Sequence, residues 1–104
     1  MPVYMIAESK TKDAETYAQY IAQVPAVVSR YGGRYLVRGG QVTPVTGGWT
    51  PERLIVLEFP SQEHVTRCFS SPEYQEIVHL HDAGADFRAV IVEGYTQDDQ
   101  QLAG

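Results

Sequence analysis

Tyr31-Gly-Gly-Arg-Tyr-Leu-Val-Arg-Gly-Gly40 holds a helix stop, a strand and the start of a loop in one short run. An apolar-periodic stretch from Asp13 to about Arg30 precedes it. Paired glycines after such a stretch suit a left-handed C-cap, where a side chain would clash. Arg34 to Arg38 then alternates. A strict period of two turns Arg34, Leu36 and Arg38 to one face and Tyr35 and Val37 to the other. Gly39 and Gly40 end the strand. These glycines do not open a helix and lack the Gly-x-x-x-x-Gly-Lys pattern, so a phosphate cradle is rejected.

Upstream, Val3 to Glu8 is short, apolar and β-prone, and predicts a first strand. Ser9 to Lys12 reads as a polar turn. Asp13 is placed to cap a helix whose buried stripe is Tyr17, Tyr20, Ile21 and Val24. Pro25 removes one helical hydrogen bond and crowds the preceding turn, so a kink or break is expected there. Downstream, Gly39 to Pro51 is a loop rich in Gly, Thr and Pro, and it carries the sole tryptophan, Trp49. Arg53 to Phe59 alternates Arg53, Ile55, Leu57 and Phe59 against Leu54, Val56 and Glu58. Ser61 opens one helix. Ser71, with Pro72 at the first helical position and Glu73 in the first turn, opens another that ends near Ala83-Gly84. Ala85 to Gly94 is the last strand.

The order is βαββαβ, the ferredoxin-like pattern: an α+β domain with a four-stranded antiparallel sheet and helices on one face. Such a sheet leaves its second face bare. A domain this small must cover it, and a second copy does so most simply. The expected assembly is therefore a homodimer, a dimeric α+β barrel.

The chain has 104 residues, enough for one domain, taken as residues 1–96 with a polar, acidic tail over 97–104. A net charge of −5 argues against a nucleic-acid partner. No apolar run reaches about 18 residues, so no membrane span is expected. The N-terminal stretch lacks the basic region of a signal peptide. A single cysteine cannot form an internal disulfide, which suits a reducing compartment and a cytoplasmic location.

Four stretches in order also carry a family resemblance. They are Pro25-Ala26-Val27, the run Tyr31 to Gly40, Arg53-Leu-Ile-Val-Leu-Glu-Phe-Pro60 and Ser70-Ser-Pro-Glu-Tyr-Gln75, with Val90-Ile-Val-Glu-Gly94 fitting a final strand. Over about residues 3 to 95 the chain resembles the bacterial domain-of-unknown-function family numbered 1330. The resemblance implies a dimeric α+β barrel, a fold shared with small monooxygenases and stress-responsive barrel proteins, and no established activity. One segment departs from it: His79-Leu-His81-Asp82 stands where such proteins carry a more basic or neutral helix end.

Five residues are candidates for a substrate-binding site: Arg38, Glu58, Tyr4, Tyr74 and His81. If the second and third strands pair across the long loop, Glu58 lies near Arg34 or Arg38, either as a structural ion pair or as part of an anion or carbonyl site. Arginine suits carboxylates because its planar fork bonds both oxygens. Seven tyrosines are many for this length, and Tyr4, Tyr35 and Tyr74 each offer an apolar ring with a polar tip to a pocket. His81 beside Asp82 has the makings of a proton carrier near neutral pH, against the plainer role of a helix-end histidine. His79 and His81 are two apart, which on a helix points them in different directions, and there is no Cys-x-x-Cys. No metal and no cofactor are expected. Cys68 sits in an apolar-periodic helix and reads as a buried structural thiol.

Two functions fit this reading. One is a small enzyme or binder that holds an organic molecule in the barrel pocket, monooxygenase-like or isomerase-like by analogy of fold. The other is a structural or stress-associated dimer whose barrel is filled by side chains. An open cavity of several hundred Å³ lined by polar groups favours the first.

Overall fold

The computed structural model describes residues 1–95, so the tail assigned to 97–104 lies outside the described residues. Seven elements follow one another: β1 (Val3–Thr11), α1 (Ala14–Arg30), β2 (Arg34–Arg38), β3 (Arg53–Phe59), α2 (Gln62–Phe69), α3 (Pro72–Gly84) and β4 (Ala85–Glu93). The sheet order is β2-β3-β1-β4, with every neighbouring pair antiparallel. The ferredoxin-like α+β reading holds.

Local chemistry sets the helix starts. Asp13, Ser61 and Ser71 each accept a hydrogen bond from the backbone N–H three residues on, and Pro72 opens α3 where its missing N–H costs nothing. The helices pack on the sheet face that carries Val3, Leu57, Phe59 and Ala85, and Val28, Phe59 and Cys68 are sealed from solvent. Burying a side chain the size of Phe59 contributes roughly 1.5–3 kcal/mol.

The two glycines after α1 serve different needs. Gly32 has φ +85°, the left-handed cap expected. Gly33 has no such conformation. A Cβ there would stand 2.6 Å from the Phe59 ring and 2.7 Å from Val28, so the chain crosses the core at that point too closely for a side chain.

Three sequence expectations are corrected. β1 does not end at Glu8: Ser9, Lys10 and Thr11 continue it, paired with Phe87, Asp86 and Ala85. Ser9 points inward, and its hydroxyl lies 2.9 Å from that of Tyr17, so a partnered buried hydroxyl replaces the expected turn. Of the kink or break expected at Pro25, the break does not occur: α1 runs on to Arg30. Nor does β2 keep a strict period. Tyr35 pairs with Leu57 but Val37 with Val56, so Leu36 is the extra residue of a bulge. Tyr35 and Arg38 therefore share the helix-covered face, and Arg34 and Val37 share the bare one.

Candidate functional site

The strand register builds two different surfaces from one sheet. On the bare face, Val37, Val56, Ile6 and Val90 form an apolar rung across all four strands. Charged rungs flank it. Glu58 accepts hydrogen bonds from Tyr4 Oη at 3.0 Å and Arg34 Nε at 2.6 Å, and on the other side Glu8 accepts from Arg88. The Arg34 hydrogen bond, and after it that of Tyr4, holds the Glu58 carboxyl below the usual carboxylate range. The same carboxylate pushes the Tyr4 hydroxyl up.

On the covered face the corresponding rung is Arg38, Ile55, Ala7 and Ala89. Two adjacent alanines leave space that the helices do not fill. The result is a cavity of about 170 Å³, open to solvent, with Tyr17, Tyr20 and Ile21 of α1 as its roof and Tyr74 and His81 of α3 on one side. An engineered apolar cavity of roughly 150 Å³ takes up benzene. The space over Ala7 and Ala89 is therefore that of a single ring, smaller than the several hundred Å³ of a typical ligand site.

The walls are aromatic. The His81 ring stacks on Phe87, with centroids 3.7 Å apart and planes 13° apart, and meets Tyr20 edge-on at 5.2 Å. Tyr20 and Tyr74 hydroxyls lie 3.0 Å from each other. Burial raises the pKa of Tyr20 and of Tyr74, so both stay protonated and serve as hydrogen-bonding groups. His81 Nδ1 stands 2.9 Å from a carboxylate oxygen of Asp82.

Two arginines supply the charge. Arg38 lies over the Tyr35 ring and donates from Nη2 to the carbonyl of Ile21 at 2.8 Å. Arg53 lies over Tyr17, its carbon 5.4 Å from the ring centroid. Its Nε packs against Gly39, where φ is +75° and a Cβ would come within 2.8 Å. That Nε is buried without a hydrogen-bond partner. Among the described residues no carboxylate pairs with Arg38 or Arg53. Tyr35 sits between them; burial raises its pKa and the two guanidinium charges oppose that rise.

The five candidates thus divide. Arg38, Tyr74 and His81 line the cavity, while Tyr4 and Glu58 meet each other on the opposite face. Glu58 pairs with Arg34 and not with Arg38. Arg53 was not among the candidates. Its signal was present in the parity of its strand: it is the one cation in a set completed by Ile55, Leu57 and Phe59. Cys68 is buried as expected, and burial pushes its thiol up to about 11. Among the described residues no three of His, Cys, Asp and Glu stand together as a metal site, and no helix is long and apolar enough to cross a membrane.

A family model for a domain of unknown function, DUF1330, matches residues 2–95. The chain belongs to the DUF1330 family. Its fold resembles that of RPA0582, a protein of unknown function from Rhodopseudomonas palustris, with TM-score 0.77 and 20% identity over 91% of this chain and 83% of that one. It also resembles SnoaB, a cofactor-independent oxygenase from Streptomyces nogalater, with TM-score 0.64 and 11% identity over 92% and 95% of the two chains. A third neighbour is a dimeric ferredoxin-like protein of unknown function from Bacteroides fragilis, with TM-score 0.58 and 17% identity over 89% and 96%. Identities this low speak for the fold alone. No curated protein matches the chain.

Proposed function

We propose that this chain binds a small organic anion, a single planar ring bearing a carboxylate or a comparable oxygen pair, in the cavity above Ala7 and Ala89. The observation that carries the reading is a pair of arginines, Arg38 and Arg53, lining one aromatic cavity with no carboxylate partner among the described residues. A bound carboxylate would pair with these cations, with Arg53 and Arg38 as donors, Tyr74 as a neutral donor and His81 at the wall. The void over the two alanines lies between the sheet and its helices, so the alternative, a barrel filled by side chains between two bare faces, is compatible with it.

We also propose that two copies join through the bare face. The apolar rung Val37–Val56–Ile6–Val90 spans the sheet and lies between charged rungs, as an interface core lies within a polar rim. Val37 and Val90 are left 41% and 61% exposed by the lone chain. The Bacteroides fragilis neighbour, a dimeric protein of ferredoxin-like fold, supports a dimer. On this reading Tyr4 and Glu58 belong to the seam between subunits. The single buried thiol suits a reducing, cytoplasmic setting.

Isothermal titration with benzoate and phenylacetate tests the site. Binding to the native chain and its loss in Arg53→Met, with the fold retained by circular dichroism, is the expected result. Failure of both ligands to bind the native chain rejects the reading. Light scattering tests the dimer: a mass of twice the chain is expected, and a reduction to one chain mass in Val56→Lys.

A further inference from the structure

We infer that His81, oriented by Asp82, is the general base of a proton shift on an enolisable carbonyl compound held in the cavity, with an aryl-substituted 2-oxo acid as the substrate class. This deepens the reading of the cavity as a site for a small ring-bearing anion and rests on it. The Asp82 carboxylate can only accept, so the hydrogen bond of 2.9 Å requires His81 Nδ1 to carry the proton. In the neutral ring Nε2 then holds a lone pair. Among the described residues no hydrogen-bond partner meets Nε2. The ring is held flat against Phe87 and edge-on to Tyr20, and all three side chains line the cavity. Asp82 is a positioning residue, 73% exposed at its side chain, while the His81 side chain is 24% exposed. The dyad thus has its carboxylate outside and its base at the cavity wall.

The same cavity holds what the product of deprotonation needs. His81 Nε2 takes a proton from the carbon between the aryl ring and the ketone. The electron pair of that C–H bond becomes the C=C bond of an enolate, and the negative charge passes to the ketone oxygen. The guanidinium groups of Arg38 and Arg53 hold the carboxylate and that oxygen, stabilising charge that is absent from the ground state. The imidazolium then returns its proton to the enolate, on oxygen to give the enol or on carbon to restore the ketone. Nothing is oxidised or reduced, and no co-reactant is consumed.

The experiment uses phenylpyruvate in deuterated water. Loss of the benzylic methylene signal in proton NMR reads exchange, and isothermal titration reads binding separately. The native protein should bind phenylpyruvate and accelerate exchange over buffer. His81→Gln should still bind phenylpyruvate yet exchange at least ~100-fold more slowly, the usual size of a general-base contribution. Asp82→Asn should slow exchange less than His81→Gln does. Added imidazole should restore part of the rate in His81→Ala. If the native protein binds phenylpyruvate without accelerating exchange, or if His81→Gln exchanges as fast as native, the inference is overturned and the anion site stands. If neither phenylpyruvate nor the simpler aryl carboxylates bind, both readings fall together.

Discussion

Arg38 donates a hydrogen bond to the carbonyl of Ile21, the one helical carbonyl that Pro25, four residues on, has no N–H to serve. The cation of β2 thereby repairs the defect that the proline makes in α1, and the helix continues. Arg38→Met should destabilise the protein by about 1 kcal/mol, the net worth of such a bond. In a Pro25→Ala background the helix supplies its own donor, and the cost of Arg38→Met should largely vanish. Urea midpoints of the two single variants and the double variant give the coupling. Additive effects would detach Arg38 from the helix and leave the cavity as its main role.

Gly33 should tolerate alanine worse than Gly32. Gly32→Ala meets an unfavourable left-handed backbone, at roughly 1–2 kcal/mol. Gly33→Ala instead drives a methyl group into Phe59 and Val28 in the closed core, where overpacking costs roughly 1–3 kcal/mol and adjustment must displace both neighbours. Paired chemical denaturation curves read the order. Equal midpoints for Gly33→Ala and native would mean that the core there yields freely.

Acid should weaken the fold through Glu58. Its carboxyl is held below the ordinary 4.5, chiefly by Arg34 and then by Tyr4. A folded value below the unfolded one contributes stability that is fully present above about 4.5 and is lost as pH falls through the folded value. Glu52 and Glu73, also lowered, act in the same direction. Between about pH 6 and pH 3 the urea midpoint should fall less steeply for Glu58→Gln than for native. Parallel curves would remove Glu58 from the acid response.

Filling the cavity should separate binding from folding. Ala7→Leu places an isobutyl group in the space over the sheet, so benzoate binding should disappear while thermal stability holds or rises by up to ~1 kcal/mol. Retained binding in a folded Ala7→Leu protein would move the ligand elsewhere.

Much of this architecture was legible because it is local. Asp13, Ser61 and Ser71 cap helices through bonds spanning three residues, and Pro72 and Gly32 act through their own backbone. What escaped was set by pairing between distant segments. Ser9 to Thr11 read as a turn because their composition is polar; β4 extends them as strand by supplying partners. The facing of Arg38 escaped because a bulge is a property of two strands together, and five residues of β2 give no sign of which one is left over. The cavity escaped because Ala7 and Ala89 become neighbours only through the register of β1 with β4. Arg53 was visible as an odd member of an apolar set, but its lack of a partner is a fact of three dimensions.

Leu36 is the residue that the ladder between β2 and β3 does not count. A chain lacking it would keep Arg38 opposite Ile55 and at the cavity. A chain of the same length that straightened the ladder would carry Arg38 one step on, opposite Leu54, and turn its guanidinium to the sheet's outer side. One uncounted position thus allots the positive charge of β2 between two destinations, so a slip of register there would empty one and crowd the other without changing a single amino acid.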